Sequence, residues 1–143
     1  MDAGPCAFEL CADDAPLRRG WGHLEAFLDA RRCGARIRFV AGLLLEEAVS
    51  NIFLRAEHPP PTCRVRLHLD AQGDTLEMCI EDEGAPFDPC AAALPGRSAG
   101  GAEGGRGILL MRSMADDMRY ARRAGTNRLQ FLVRERLPIG DAR

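Results

Sequence analysis

The sequence contains no lysine; all 19 of its basic residues are arginine. That absence removes the Walker-type G-K-[ST] phosphate loop, Schiff-base chemistry and any lysine general base. A G-x-S-x-G elbow is missing as well, since Ser50, Ser98 and Ser113 all sit in other contexts, so serine-nucleophile hydrolysis has no support. The 6 cysteines, at positions 6, 11, 33, 63, 79 and 90, form no C-x-x-C and have no paired histidine spacing. Zinc is therefore not expected, and reduced thiols, several of them in the core, are the simplest reading. No apolar run approaches the roughly 18 residues of a membrane span, and "MDAGPCAFEL" lacks the basic-then-apolar pattern of a signal peptide. A cytoplasmic protein with no membrane partner is expected. A net charge of −2 supplies no basic face for nucleic acid, and the arginines from Arg112 to Arg136 alternate with acids and apolar residues as solvated strand edges do.

What remains is an ordinary globular composition, 46% apolar with few aromatics, in 143 residues, enough for one domain with its own core. "CAFELCAD" alternates as a strand. Asp13 and Asp14 then offer caps, Pro16 suits a first helical turn, and Leu17, Trp21, Leu24 and Leu28 recur at helical spacing to about residue 32. After a break at "CGA", a second helix is expected from about Arg36 to Glu57, stopped by "HPPP". "CRVRLHLD", a turn at "AQGD" and "TLEMCIED" read as a hairpin. "ILLMRSMADD" reads as a short helix, and "MRYARR", "AGTN" and "RLQFLVRER" as a closing hairpin. Between the hairpins lies the Gly/Ala-rich segment of about 90–106, too long for a plain connection in a compact domain unless it serves as a lid. The order β-α-α-β-β-lid-α-β-β predicts an α+β fold, a two-layer sandwich of a mixed, mostly antiparallel sheet with helices on one face. The expected core spans about 8–136 of a single domain, 1–143, with a disordered tail from 137 to 143.

One stretch of the second helix conflicts with simple burial. In "LLLEEAVSNIFLRAE", at about 100° per residue, Glu47, Asn51 and Arg55 fall in the same arc as Ile37, Val40, Leu43, Leu44, Ala48 and Leu54. An unpaired buried carboxylate costs several kcal/mol, so this stripe calls for a polar occupant opposite it.

Three further segments join it: D-E-G at 82–84, G-R-G at 105–107 and G-T at 125–126. Each alone is common as a turn or a packing device. In this order and at these separations they resemble the N, G1, G2 and G3 boxes of the GHKL ATPase superfamily. Within it, "EEAVSNIFLRA", "IEDEGAPFDP" and "GGRGILLMRSMADDMRYARRAGTNRLQF" are similar to the anti-sigma factor serine/threonine kinases, over roughly residues 8–136.

The resemblance implies ATP and Mg²⁺ as cofactors and gives each box a role. Asn51 becomes the Mg²⁺ ligand, sufficient because magnesium takes few protein oxygens beside phosphates and water. Glu47, one turn earlier, becomes the general base for a substrate hydroxyl. Arg55, where relatives often carry histidine, stands between a phosphate contact and a salt bridge across its helix. Asp82 would accept a hydrogen bond from the adenine amino group, Gly84 would let the base approach the backbone, and Thr126 would join that network. Gly105 and Gly107 would present amides to phosphate just before a helix. The family implies a homodimer that phosphorylates a STAS-type antagonist and sequesters a sigma factor or similar client. An ATP-binding sequestering module with little or no kinase activity is the alternative. A histidine kinase catalytic domain is disfavoured, because His23, His58 and His68 sit in no phosphoacceptor helix.

Overall fold

The computed structural model describes residues 5–11, 15–55, 64–91 and 102–136. Five strands form one sheet in the order β1-β2-β3-β5-β4, from β1 (Cys6–Cys11), β2 (Arg64–Gln72), β3 (Thr75–Asp82), β4 (Asp117–Arg123) and β5 (Thr126–Arg134). Helices α1 (Pro16–Ala30), α2 (Ala35–Arg55) and α3 (Ala102–Met114) cover one face. The order of elements is the expected one. The sheet is not mixed, however: all four ladders are antiparallel. The crossover through α3 carries the chain past β3 to the sheet edge, and β5 then returns into the gap, so β3 and the parallel-running β4 never pair.

Strict alternation builds the two layers. Leu10, Val65, Leu67, Leu69, Leu76, Met78, Ile80, Phe131 and Val133 point inward and are fully or almost fully buried. They meet Leu24, Leu28, Val40, Ala41, Leu44, Leu45, Ala48 and Val49 from α1 and α2, and Met111 from α3. The opposite sheet face is charged, with Glu81 bridging Arg66 and His68.

Several boundaries differ from the sequence reading. The N-cap of α1 is Ala15, in a left-handed conformation (φ 47°) with no side-chain cap, and Asp13 and Asp14 lie outside the described residues. So do "HPPP" and the tail from 137 to 143. Of the lid, Cys90 and Ala91 form a turn capped by Asp88, 92–101 lie outside the described residues, and 102–106 are already helix. The closing hairpin turns on two residues, not four, Ala124 (φ 51°) and Gly125 (φ 79°), with Arg123 paired to Thr126. Two positive φ values in a row give the twist that matches the flanking strands.

Helix α2 is pinned at its start by the end of β5. The Glu135 carboxylate accepts from the amides of Arg36 and Ile37, both at 3.2 Å, and so caps the helix from 98 and 99 residues away. Asp116 accepts from the Arg134 amide at 2.7 Å, pairs with Arg136, and lies 3.7 Å from Arg36. Burial pushes the Asp116 carboxyl up, but the Arg134 amide, the Arg136 hydrogen bond and the Arg36 charge outweigh it and hold it below the ordinary range. Its contribution is therefore present above the ordinary carboxylate pKa and is lost as pH falls through the depressed one. Replacement Glu135→Ala should lower unfolding stability by about 1 kcal/mol, the usual worth of a cap, read from the urea midpoint. An unchanged midpoint would mean that this cap does not hold α2.

Candidate active site

The polar stripe of α2 opens toward α3 and the end of the sheet. Glu47 and Asn51 are half-buried one turn apart, while Ala48 and Val49 beside them are buried in the core. Opposite them runs α3, and Gly107 is the point of closest approach. A β-carbon there would collide with Glu47 Oε2 and lie 3.7 Å from Asn51 Nδ2. Glycine at 107 thus lets the carboxylate lie against the α3 backbone.

At the other end of the cleft, Asp82 closes β3 and is 8% exposed. Its Oδ1 accepts from the Gly84 amide at 2.9 Å and from Asn127 Nδ2 at 3.1 Å. Gly84 is needed for this, since its own β-carbon would stand 2.9 Å from Oδ1. Both bonds fall on Oδ1, and among the described residues Oδ2 receives none, so it is the oxygen available to a ligand. Asn51 and Asp82 line one pocket with Ala48, Ile52, Ile80, Phe87, Met111, Tyr120 and Asn127. The pocket is small in this structure, about 20 Å³. A hollow of about 510 Å³ on the outer sheet face is roomier, but its His68 and Arg119 already face acids and it lies away from the α2 stripe.

Three of the expected residues land differently. Gly105 and Gly107 do not precede the helix; they are the fourth and sixth residues of α3. The Gly107 amide is thereby committed to the helical ladder, because only the first four N–H groups of a helix are free. Thr126 pairs with Arg123 on β4, and alternation puts it on the outer face with Arg128, away from Asp82. The residue that reaches Asp82 is Asn127, which the sequence reading missed. The signal was there: Asn127 is in phase with Leu129, Phe131 and Val133, an amide on an inward stripe just as Asn51 is. The backbone of Arg55 ends α2, and its side chain lies outside the described ones.

Among the described residues neither an activated thiol nor a protein-built metal cage stands out. Cys6, Cys33, Cys79 and Cys90 are not in disulfides, and burial pushes the thiols of Cys33, Cys79 and Cys90 up, away from the reactive thiolate. Among the described residues no three His, Cys, Asp or Glu side chains converge on a possible cation. A cation at Asn51 would need oxygens brought by a ligand, which is how magnesium enters phosphate sites.

The molecule thus presents a five-stranded antiparallel sheet with helices on one face, and an acid and an amide on α2 beside a pocket lined by a buried aspartate. The profile of the histidine kinase-like ATPase domain matches residues 11–132, and the chain belongs to that family. The serine/threonine-protein kinase BtrW of Bordetella bronchiseptica is 37% identical over 101 residues, which cover 68% of this chain and 71% of BtrW. The crystal structure of the RsbU and RsbW domains of Rv1364c from Mycobacterium tuberculosis shares the fold at a TM-score of 0.62 and 13% identity. That match covers 92% of this chain but 32% of the larger one. No helix among the described residues is long and apolar enough to cross a membrane.

The Gly107 contact has a direct consequence. Its obstacle is the free end of a flexible side chain, so Gly107→Ala should displace the Glu47 carboxylate while the helix gains up to about 1 kcal/mol from alanine. Urea denaturation should show stability unchanged or raised. A loss above about 1 kcal/mol would mean that Glu47 is rigidly wedged against α3.

Proposed function

We propose that the chain is an ATP-dependent serine/threonine protein kinase of the anti-sigma regulatory type, phosphorylating a STAS-type antagonist and sequestering a sigma factor or similar client. The observation that carries the reading is the meeting of Glu47 and Asn51 with Gly107, beside a pocket floored by Asp82. Membership of an ATPase domain family and the kinase named among its relatives support it.

In this reading Asp82 Oδ2 accepts from the exocyclic amino group of adenine. Guanine presents a carbonyl there, an acceptor facing a carboxylate, so ATP is preferred over GTP. The amide oxygen of Asn51 would hold Mg²⁺, which when bound neutralises the phosphate oxygens. To Arg55, whose backbone ends α2, the resemblance assigns a permanent charge for the phosphates. Gly105, near the start of α3, lies where the helix N-terminus favours negative charge. Glu47 takes the proton of the substrate hydroxyl as its oxygen attacks the γ-phosphorus. A new O–P bond forms, the bridging bond to the β-phosphate breaks, and ADP leaves with that electron pair. The protein acts in the cytoplasm as a homodimer in this scheme.

Glu47→Ala separates the base from a pocket-shaping role. Nucleotide affinity should persist while single-turnover transfer to the cognate antagonist falls by about 10² to 10⁴. Undiminished transfer would remove Glu47 from the chemistry. Absence of transfer by the unmodified protein with its verified partner would favour a sequestering module that only binds ATP.

A further inference from the structure

Asn127 sits at the centre of a polar network with Asp82, Gly84, Ala85, Tyr120 and Arg122. It is 5% exposed. Its Nδ2 is directed at Asp82 Oδ1 (3.1 Å), Gly84 O (3.4 Å) and Ala85 O (2.9 Å), three acceptors and no donor. Its Oδ1 receives the Tyr120 hydroxyl and Arg122 NH1, the latter at 2.9 Å, two donors and no acceptor. Arg122 NH1 also reaches Gly84 O at 2.9 Å. The amide therefore has one orientation: rotated by 180°, its oxygen would face a carboxylate and two carbonyls, and its NH₂ would face a guanidinium.

Every member of this network is placed by register. Asp82 pairs with Asn127 across β3 and β5, and Asn127 pairs with Arg122 across β5 and β4. The two-residue turn at Ala124–Gly125 sets that pairing; one more residue in the turn would bring Thr126 inward and send Asn127 out.

We infer that Asn127 is the positioning residue for adenine recognition in this protein, in the place where the sequence resemblance pointed to Thr126. By occupying Asp82 Oδ1 and clamping the backbone at Gly84 and Ala85, the amide fixes the carboxylate so that Oδ2 alone faces the pocket. Tyr120 and Arg122, from the edge strand β4, lock the amide in turn. The inference rests on the nucleotide reading above and deepens it: base selectivity resides in an Asp82–Asn127 pair held by β4, not in Asp82 alone.

The test is calorimetric titration of ATP and of GTP, each with Mg²⁺, into the parent, Asn127→Ala, Thr126→Ala and Tyr120→Phe, with thermal melts on all four. Asn127→Ala should lose about tenfold in ATP affinity and contract the preference for ATP over GTP, because the freed carboxylate no longer presents one oxygen to the base. Tyr120→Phe, which keeps the ring and removes one donor to the amide, should move both quantities in the same direction by a smaller factor. It serves as the readout if Asn127→Ala does not fold. A general loss of structure would weaken ATP and GTP alike, whereas the positioning role changes their ratio. The inference is overturned if the ratio is unchanged in both variants, or if Thr126→Ala contracts it more than Asn127→Ala does. A parent that binds neither nucleotide would overturn the nucleotide reading itself, and this inference with it.

Discussion

Helix α2 packs against α1, α3 and the two central strands β3 and β5, and the rest of the molecule is arranged around that burial. Ile37, Val40, Ala41, Leu44, Leu45, Ala48 and Val49 are all buried along it. Because the helix is fixed on several sides, it has little freedom to rotate, and the direction in which Glu47 and Asn51 point is set by the apolar side chains between them. At the far end, Glu135 and Asp116 tie its first turn to β5. The polar stripe is thus held by the same contacts that stabilise the fold.

The second constraint is the end of the sheet. Where the ladder of β3 and β5 runs out, inward positions stop being apolar: Asp82 and Asn127 follow Ile80 and Leu129. Two polar groups in near-complete burial are tolerable because each meets its partner, and no buried side-chain polar atom among the described residues lacks one. The cleft between this pair and the α2 stripe brings the Asp82 carboxylate into one pocket with the Asn51 amide, beside Glu47; in the proposed reading the first meets the base and the other two the phosphate end of a nucleotide. Gly84 and Gly107 permit the two close approaches that shape it.

Much of this was readable in the sequence, for physical reasons that differ from place to place. The β2–β3 hairpin alternates strictly, so β3 was placed to the residue, while β2 runs two residues further, through Ala71 and Gln72 of the expected "AQGD" turn. The α2 stripe stood out because Glu47 and Asn51 interrupt an otherwise apolar arc. The start of α3 was hidden, since half of "AEGGRG" is glycine and no Ser, Thr, Asp or Asn precedes it as a cap, and packing against α2 overrides the weakened propensity there. The Thr126 and Asn127 positions differ by one residue, and alternation makes one residue the difference between the cleft and the outer face. The phase was readable, since Asn127 alternates in step with Leu129, Phe131 and Val133, but a four-residue turn at "AGTN" leaves both residues outside the strand, and alanine at φ 51° makes the observed two-residue turn the less expected one. The all-antiparallel pairing depended on β5 inserting between β3 and β4, a matter of topology that strand patterns do not encode.

The most direct test of the account is a crystal structure of the protein with a non-hydrolysable ATP analogue and Mg²⁺. The expected result is adenine between α2 and the end of β3, its amino group within hydrogen-bond distance of Asp82 Oδ2, Asn51 on the metal, and the γ-phosphate beside Glu47 near the start of α3. A nucleotide seated on the outer face of the sheet, or one held in the cleft with its base away from Asp82, would contradict it.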